Sequence, residues 1–267
     1  MSTTATDSVS SLGRWTSAAR GLLDHIESTQ MDVIERAAQS SARAIGAGGF
    51  VHLFGSGHSR IPVEEMFPRY GSFPGFHPIV ELSMTFHTEV VGSNGQPQAM
   101  FIERVEGLAE VILDGFEFGT DDIMMIFSAS GRAAVPVEMA LGARERGLGV
   151  IAVTSIAESA AVPATHSSGS RLFEIADLVI DIGTPRGDAL VTLDGLETPV
   201  GPGSTLANVT VVNEIKVRTA ELLIEAGIHP TVLTAPSVVG ERRSRSLFET
   251  AYAEHSRRLA RALGKSG

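Results

Sequence analysis

Cysteine is absent from this 267-residue chain, and lysine occurs at only two positions, Lys216 and Lys265. The lack of cysteine excludes disulfide bonds, a thiolate nucleophile, iron–sulfur clusters and zinc sites with cysteine ligands. It is typical of a reducing compartment. The sequence also lacks a signal-peptide pattern and an apolar run of the ~20 residues that span a bilayer, so we predict a cytoplasmic protein with no membrane partner. The scarcity of lysine leaves few candidates for Schiff-base chemistry.

Positive charge is scarce as well, because the chain has 21 Lys and Arg residues and 31 Asp and Glu residues, which gives a formal net charge of -10. This balance argues against nucleic acid as a partner, since no long-range attraction would hold it. Any anionic ligand must therefore be small and bound by a local arrangement of donors. The contents of 43% hydrophobic and 19% charged residues are typical of a folded globular protein.

Short apolar runs alternate with helical periodicity along the chain. Strands are predicted at 50–54, 77–80, 123–127, 149–154 and 178–182, and helices at 101–113, 135–146, 205–226 and 242–263, after two helices within 9–47. This alternation indicates an α/β fold with a parallel sheet covered by helices on both faces.

Two stretches interrupt the alternation. Residues 92–98 are predicted to form a loop, and 183–203 a loop with a hairpin that turns at Asp194-Gly195. We therefore divide the chain into N-terminal helices at 1–48, one α/β domain at 49–227, and a C-terminal segment and helix at 228–267.

The first loop expected to carry chemistry follows the strand at 50–54 and reads Gly55-Ser56-Gly57-His58-Ser59. Its glycines let the backbone approach a ligand, its serines offer hydroxyl donors, and the following helix would point its N-terminus at an anion. The pattern favours a phosphate site. A dinucleotide site would need a third glycine where Arg60 stands. A plain turn whose serines cap the helix is the alternative.

Three more segments carry hydroxyl side chains at the end of a predicted strand or at the start of a predicted helix. They contain Ser128, Ser130, Gly131 and Arg132 after the strand at 123–127, Thr154 and Ser155 at the end of the next strand, and Ser204, Thr205 and Asn208 around the start of the helix at 205–226. Ligands of open α/β sheets bind beyond the carboxyl ends of the strands. We therefore predict that these loops converge on one anion site.

The segments GSGHS, SASGR, AVTS and PVGPGST resemble the SIS (sugar isomerase) family of phosphosugar isomerases and phosphosugar-binding domains. The resemblance covers 46–227, and the runs SGRAAVPVEMAL, GVIAVTS and HSSGSRLFEIADLVIDIG are similar to a bacterial group of stand-alone members. It implies a flavodoxin-like three-layer sandwich with a five-stranded parallel sheet. It also implies a homodimer or homotetramer that binds a sugar phosphate through its serine and threonine loops.

Residue by residue, the resemblance assigns Ser56 and Ser59 to the first phosphate loop and Ser128 and Ser130 to the second. Many members have a threonine where this chain has Ala133, so Arg132 is a candidate to supply charge in its place. Within the family, the chain is similar to phosphoheptose isomerase and N-acetylmuramic acid 6-phosphate etherase.

The activity that the resemblance favours is aldose–ketose isomerisation of a sugar phosphate or amino-sugar phosphate through an enediol, with no cofactor. Such a reaction needs a base and a proton shuttle. Glu81, at the end of the strand at 77–80, and Glu65 are candidate bases, and His166 and His58 are candidate shuttles. In some members a glutamate ten residues after the loop's second serine serves as base, but Arg69 stands there.

Two other functions stay open, namely elimination or hydration of a phosphosugar, as in the etherase branch, and non-catalytic phosphosugar sensing. The sequence has no His-x-x-x-His pair and no Asp ladder, so no metal site is predicted. His52 is interpreted as a hydrogen-bonded core residue, and His87 with Glu89 as a surface pair. We hypothesise that His166 completes the site of a neighbouring subunit.

Overall fold

The central sheet is built from the five apolar runs of the sequence. A computed structural model of the chain describes residues 10–85 and 95–264. All five strands are parallel, in the order β2-β1-β3-β4-β5. They are β1 (Val51–Gly55), β2 (Phe76–Ile79), β3 (Ile123–Phe127), β4 (Gly149–Thr154) and β5 (Leu178–Asp181). Each end agrees with its predicted position to within one residue.

Helices cover both faces of this sheet. They are α1 (Arg14–Thr29), α2 (Met31–Gly46), α3 (Ile61–Met66), α4 (Gly95–Ile102), α5 (Leu108–Leu113), α6 (Ala134–Glu145), α7 (Ile156–Ala160), α8 (Leu172–Ile175), α9 (Ser204–Glu225), α10 (Pro236–Val239) and α11 (Glu241–Ala262). Among the described residues, no helix combines the length and the apolarity needed to cross a bilayer.

The predictions for two elements between residues 92 and 113 are wrong. The single helix predicted at 101–113 is divided into α4 and α5, because Gly107 adopts φ 89° and lies in the left-handed region, which an α-helix cannot contain. The loop predicted at 92–98 is helical from Gly95 onward, and residues 92–94 lie outside the described residues.

Successive strand residues face opposite sides of the sheet, and each side has its own core. Leu53 and Met125 belong to the core shared with α2 and α9, whereas Phe54 and Ile126 belong to the core shared with α5 and α6. Since both faces are covered, most strand residues are apolar and the strands do not alternate; His52 in β1 and His77 in β2 are buried polar exceptions. The predicted three-layer α/β sandwich with a five-stranded parallel sheet is confirmed.

The predicted hairpin within 183–203 is also confirmed. Strands β6 (Ala189–Val191) and β7 (Val200–Pro202) pair in antiparallel fashion, and Gly195 in the turn adopts φ 89°. The hairpin precedes α9 directly, and Asp188, just before β6, accepts a hydrogen bond from the amide of Ser204 at the start of that helix.

A buried polar network lies at the amino ends of β1 and β2, at the sheet edge opposite the carboxyl-end loops. His52 Nδ1 is 2.8 Å from His77 Nδ1, and His52 Nε2 is 3.0 Å from Asp122 Oδ2. Asp122 also accepts hydrogen bonds from the backbone amides of Phe50 and Gly119. The interpretation of His52 as a hydrogen-bonded core residue is therefore confirmed.

This network holds His77 in its uncharged form. Burial, together with the nearby His52 and His255, lowers the pKa of His77 to about 3. Burial alone would raise the pKa of Asp122, but the hydrogen bonds from His52 and from two backbone amides outweigh it and lower that pKa. Both groups therefore resist protonation in the folded protein.

The strand order reverses between β1 and β3, because the chain leaves β1 toward β2 on one side and returns to β3 on the other. Such a reversal opens a crevice between the loops that follow the two strands, and ligands of open α/β sheets bind there. The fold thus brings the loop after β1 and the loop after β3 to one place.

Candidate functional site

A cavity of about 510 Å³ lies at the carboxyl edge of the sheet, beside the loop after β3. One wall is formed by this loop and the start of α6, and the other by α4 and the segment that follows it. The lining residues are Met100, Glu103, Arg104, Glu106, Ser130, Arg132, Ala133, Ala134 and Thr165. Of the residues predicted to bind the ligand, Ser130 and Arg132 line this cavity.

Another cavity, of about 320 Å³, lies at the opposite edge of the sheet and contains two arginines of α11. Arg258 donates a hydrogen bond of 2.6 Å to the carbonyl oxygen of Gly49, and Arg261 donates one of 2.7 Å to that of Gly48. Both guanidinium groups thus fasten α11 to the loop before β1. We therefore place the candidate site at the carboxyl edge.

The loop after β1 folds back on itself. Gly57 adopts φ 53°, and a 3-10 helix spans Gly57–Arg60, in which the amide of Ser59 donates to the carbonyl oxygen of Ser56 at 2.9 Å. The buried Ser56 hydroxyl donates a hydrogen bond of 2.7 Å to Oε2 of Glu103. The first predicted phosphate loop is therefore joined directly to the cavity wall.

The closure of this loop requires glycine at position 55. A Cβ atom on Gly55 would lie 2.1 Å from the carbonyl oxygen of Ser59, a backbone atom that cannot move without displacing the loop. We expect Gly55→Ala to lower the free energy of unfolding by about 3 kcal/mol, the usual cost of severe overpacking. Denaturant unfolding measures this effect.

The matched control is Gly21→Ala, at an exposed position of α1 where an added Cβ would meet no atom within 4 Å. This change should raise the free energy of unfolding by up to about 1 kcal/mol, because alanine favours a helix. Equal, small effects of the two substitutions would contradict the described loop closure.

The loop after β3 is closed by its own side chains. Ser128 Oγ accepts a hydrogen bond of 3.1 Å from the amide of Gly131, which adopts φ 58°. An added Cβ on Gly131 would lie 2.9 Å from both Thr154 Oγ1 and Ser159 Oγ, so the turn requires glycine there. Ser128 thus shapes the turn, whereas the Ser130 side chain lines the cavity.

Arg132 contributes positive charge to the cavity wall. One terminal nitrogen donates a hydrogen bond of 2.9 Å to Glu158 Oε1, which fixes the guanidinium group. Its Nε atom is buried and has no hydrogen-bond partner among the described residues. A guanidinium group that is fixed at the wall of a cavity is suited to bind an anion.

Sequence reasoning missed the ionisable residues Glu103, Arg104 and Glu106 of the cavity wall, and Glu103 has the most unusual surroundings of the three. Its carboxylate is bound by Ser56, and burial raises its pKa, although the hydrogen bond from Ser56 and the nearby Arg104 partly oppose this. Its carbonyl oxygen accepts a hydrogen bond of 3.0 Å from the amide of Val135 in the first turn of α6. No strand precedes Glu103, so nothing in the local pattern distinguished it from a helix-surface carboxylate.

The hydroxyl groups of two residues predicted to bind the ligand form hydrogen bonds within the protein instead. The buried Thr154 hydroxyl donates to the carbonyl oxygen of Ala129 at 3.3 Å. The buried Ser155 hydroxyl donates to the carbonyl oxygen of Thr184 at 2.7 Å and accepts from the amide of Glu158 at 3.1 Å, which caps α7. These contacts give both residues a structural role.

The start of α9 is capped by a carboxylate of its own chain. Asp188, which adopts φ 61°, accepts hydrogen bonds from the Ser204 amide at 2.7 Å and from the Ser204 hydroxyl at 2.6 Å. The carboxylate thus lies where a bound anion would otherwise lie. Thr205 is half-buried, and Asn208 is buried with an Oδ1 atom that has no partner within the described segments.

The predicted bases and His58 lie outside the cavity lining. Glu65 Oε1 accepts from Asn213 at 3.0 Å, and Lys216 donates to the Glu65 carbonyl oxygen at 2.8 Å, so this carboxylate is held against α9. Glu81 is half-buried directly before a 3-10 helix (Leu82–Met84), and His58 is exposed. The predicted pair of His87 and Glu89 lies outside the described residues.

His166 lies beside the cavity of its own chain. Its Nε2 atom is 3.3 Å from Glu138 Oε1 and 3.9 Å from Glu106 Oε1, and its side chain is 7% exposed. The neighbouring Thr165 and Glu106 both line the cavity. The hypothesis that His166 completes the site of a second subunit stays a prediction.

Sequence comparison gives the family. The SIS domain family matches residues 14–155. A UPF0309 protein of Oceanobacillus iheyensis is 38% identical over 228 residues, which are 85% of this chain and 91% of that protein. A UPF0309 protein of Streptomyces coelicolor is 34% identical over 230 residues, 85% of this chain and 89% of that protein.

Among solved structures, a phosphoheptose isomerase from Francisella tularensis has 16% sequence identity and a TM-score of 0.49, with 80% of this chain and 100% of that chain covered. The family match and the two relatives support the resemblance found in the sequence. The chain belongs to the SIS domain family and, within it, to the UPF0309 family.

Proposed function

We propose that this protein binds a sugar phosphate in the cavity at the β1–β3 crevice and isomerises it between aldose and ketose. The observation that carries the proposal is the position of Glu103. This carboxyl group lines the cavity, has a raised pKa and is bound by Ser56 of the first predicted phosphate loop. A base with a pKa nearer to neutrality transfers protons more effectively than an ordinary surface glutamate.

The phosphate group is assigned to the opposite wall. Ser130 offers a hydroxyl, Arg132 offers the positive charge of its guanidinium group, and α6 begins at Ala134 with its positive end toward the cavity. A phosphate held there would leave the sugar chain extending toward Glu103. This local arrangement also explains how a chain of net charge -10 binds an anion.

The proposed chemistry needs no electron acceptor. The Glu103 carboxylate removes the proton from the hydroxyl-bearing carbon beside the carbonyl group, which gives an enediolate, and returns it to the former carbonyl carbon. The proton of that hydroxyl group passes through water to the former carbonyl oxygen, so that the carbonyl and hydroxyl groups exchange places. The substrate is neither oxidised nor reduced overall, so the reaction proceeds without a redox cofactor. Glu103 takes the place of the predicted bases Glu65 and Glu81 in this proposal.

A ligand screen tests the binding step. We expect sugar phosphates of three to seven carbons to raise the thermal unfolding temperature more than the same sugars without phosphate. A ligand at 100 times its Kd adds about 2.7 kcal/mol. Ser130→Ala should weaken binding by about 1–2 kcal/mol through the loss of a hydrogen bond to a charged group. Titration calorimetry with the best ligand measures this loss.

Ser246→Ala is the control, because Ser246 is exposed on α11, far along the chain from the cavity segments. Equal stabilisation by phosphorylated and unphosphorylated sugars would contradict the proposal. The product then separates the remaining functions: an aldose–ketose pair indicates an isomerase, and loss of a substituent indicates a lyase or etherase. Binding with no turnover indicates a sensor.

A further inference from the structure

Three side chains of types that bind metal ions meet beside the cavity. Glu106 precedes α5, Glu138 lies on α6, and His166 lies on the loop after α7. One ligand atom from each, Glu106 Oε1, Glu138 Oε1 and His166 Nε2, lies within 4.8 Å of the other two. We propose that these three residues bind one divalent metal ion of the Zn²⁺ type.

The distances fit such an ion. Ligand atoms 2.0–2.2 Å from a tetrahedral Zn²⁺ lie about 3.3–3.6 Å apart. His166 Nε2 is 3.3 Å from the Glu138 oxygen and 3.9 Å from the Glu106 oxygen. Small side-chain movements therefore bring all three atoms to bonding distance, and imidazole with carboxylate ligands favours Zn²⁺ over Mg²⁺.

Hydrogen bonds hold these ligands in place. The amide of Gly107 donates to both oxygens of Glu138, at 2.7 and 2.9 Å, and the amide of Ser167 donates to Glu106 Oε1 at 2.8 Å. His166 Nδ1 is 2.8 Å from Ser168 Oγ and accepts a hydrogen bond of 3.2 Å from the Ser168 amide, and Nε2 is directed toward the carboxylates.

Within the part of the chain that the structure describes, the two carboxylates of the cluster lack a basic side chain that would neutralise their negative charge. Elsewhere in the structure, Glu110 pairs with Arg146 and Glu158 with Arg132. Neither Glu106 nor Glu138 has a lysine or arginine within ion-pair distance in residues 10–85 and 95–264. The two carboxylates therefore share one imidazole, and a divalent ion would neutralise them.

The ion would lie at the cavity wall, because Glu106 belongs to the three-residue cluster and also lines the cavity. Three protein ligands leave a fourth position for water or a ligand oxygen, as in catalytic zinc sites. The proposal does not rest on the proposed reaction, since metal binding is measured without any substrate. No sequence motif signalled the site, because its residues come from three separate segments.

Calorimetric titration of the untagged, EDTA-treated and dialysed full chain tests the proposal. We expect one Zn²⁺ per chain, weaker binding of Mn²⁺ and no detectable binding of Mg²⁺ at the same concentrations. Glu106→Gln and His166→Gln should each reduce the Zn²⁺ affinity at least about tenfold. Visible absorption of Co²⁺ added to the same proteins gives an independent measure of coordination by nitrogen and oxygen.

His25→Gln is the matched control, because His25 Nε2 lies 3.9 Å from Asp181 Oδ2 in a histidine–carboxylate pair that gains no third metal-binding side chain from the described residues. It should bind Zn²⁺ like the wild type. Glu106 is 44% exposed, so Glu106→Gln should fold even if His166→Gln does not. Failure of the wild type to bind Zn²⁺ stoichiometrically, or equal affinity in Glu106→Gln, would overturn the proposal.

Discussion

Glu103→Gln is expected to lower kcat for aldose–ketose isomerisation at least about 100-fold, the usual contribution of a general base, with little change in sugar-phosphate affinity. Glutamine fills the same space and can still accept the hydrogen bond that Ser56 donates at 2.7 Å. It cannot take a proton from carbon. Steady-state kinetics and ligand-induced thermal stabilisation, measured on the same preparation, separate the two effects.

Glu145→Gln, at an exposed position of α6, is the control and should retain full activity. The pH profile gives a second readout. Burial raises the pKa of Glu103 above its ordinary 4.5, so kcat/KM should fall with decreasing pH at a midpoint above that value. Ser56→Ala removes a hydrogen bond that lowers this pKa and should move the midpoint to higher pH. Full activity of Glu103→Gln would exclude Glu103 as the base.

The free energy of unfolding is expected to decrease steeply as the pH falls below 6.5. The pKa of His77 is about 3 in the folded protein and about 6.5 when unfolded, so between these values only the unfolded chain binds this proton. Each such proton costs about 1.4 kcal/mol of stability per pH unit. Burial also lowers the pKa of His255, and the lowered pKa of Asp122 adds a loss at still lower pH.

Denaturant unfolding followed by circular dichroism at pH 7.0, 6.0, 5.0 and 4.5 measures this dependence, in a range where most carboxylates remain ionised. His77→Gln should have a shallower slope than the wild type, whatever its stability at neutral pH. His229→Gln, at an exposed position, should keep the wild-type slope. A free energy of unfolding that stays constant from pH 6.5 to 4.5 would show that His77 becomes protonated in the folded state.

The sheet could be predicted from the sequence because the central strands β1, β3 and β4 are buried on both faces. Runs such as Ile123–Phe127 are apolar throughout and end at a glycine or serine, so their limits are visible locally. The break between α4 and α5 could not be predicted in the same way. It depends on the conformation of Gly107, which is held by Glu138 from a helix that follows later in the chain.

The candidate site was predictable only in part, for a similar reason. The loops after β1 and β3 could be assigned because parallel strands bring their carboxyl ends to one edge. Which hydroxyl remains available to a ligand depends on tertiary contacts: Ser155 caps α7, Ser204 binds Asp188, and Ser130 lines the cavity. Likewise, Glu103 reaches Ser56 across 47 residues of sequence, a distance that no local pattern spans.

The backbone contact between Glu103 and Val135 affects how specificity can change among relatives. The main chain that carries the carboxylate is bound to α6, which also follows the Ser130–Arg132 loop, so their separation is set by a backbone hydrogen bond. Met100 and Thr165 line the cavity from other segments. Under the proposed function, substitutions at those two positions would alter the size and polarity of the sugar that is accepted, while Glu103 and the Ser130–Arg132 loop would keep their spacing. If the proposed function holds, substrate choice and chemistry would therefore be able to evolve separately on this scaffold.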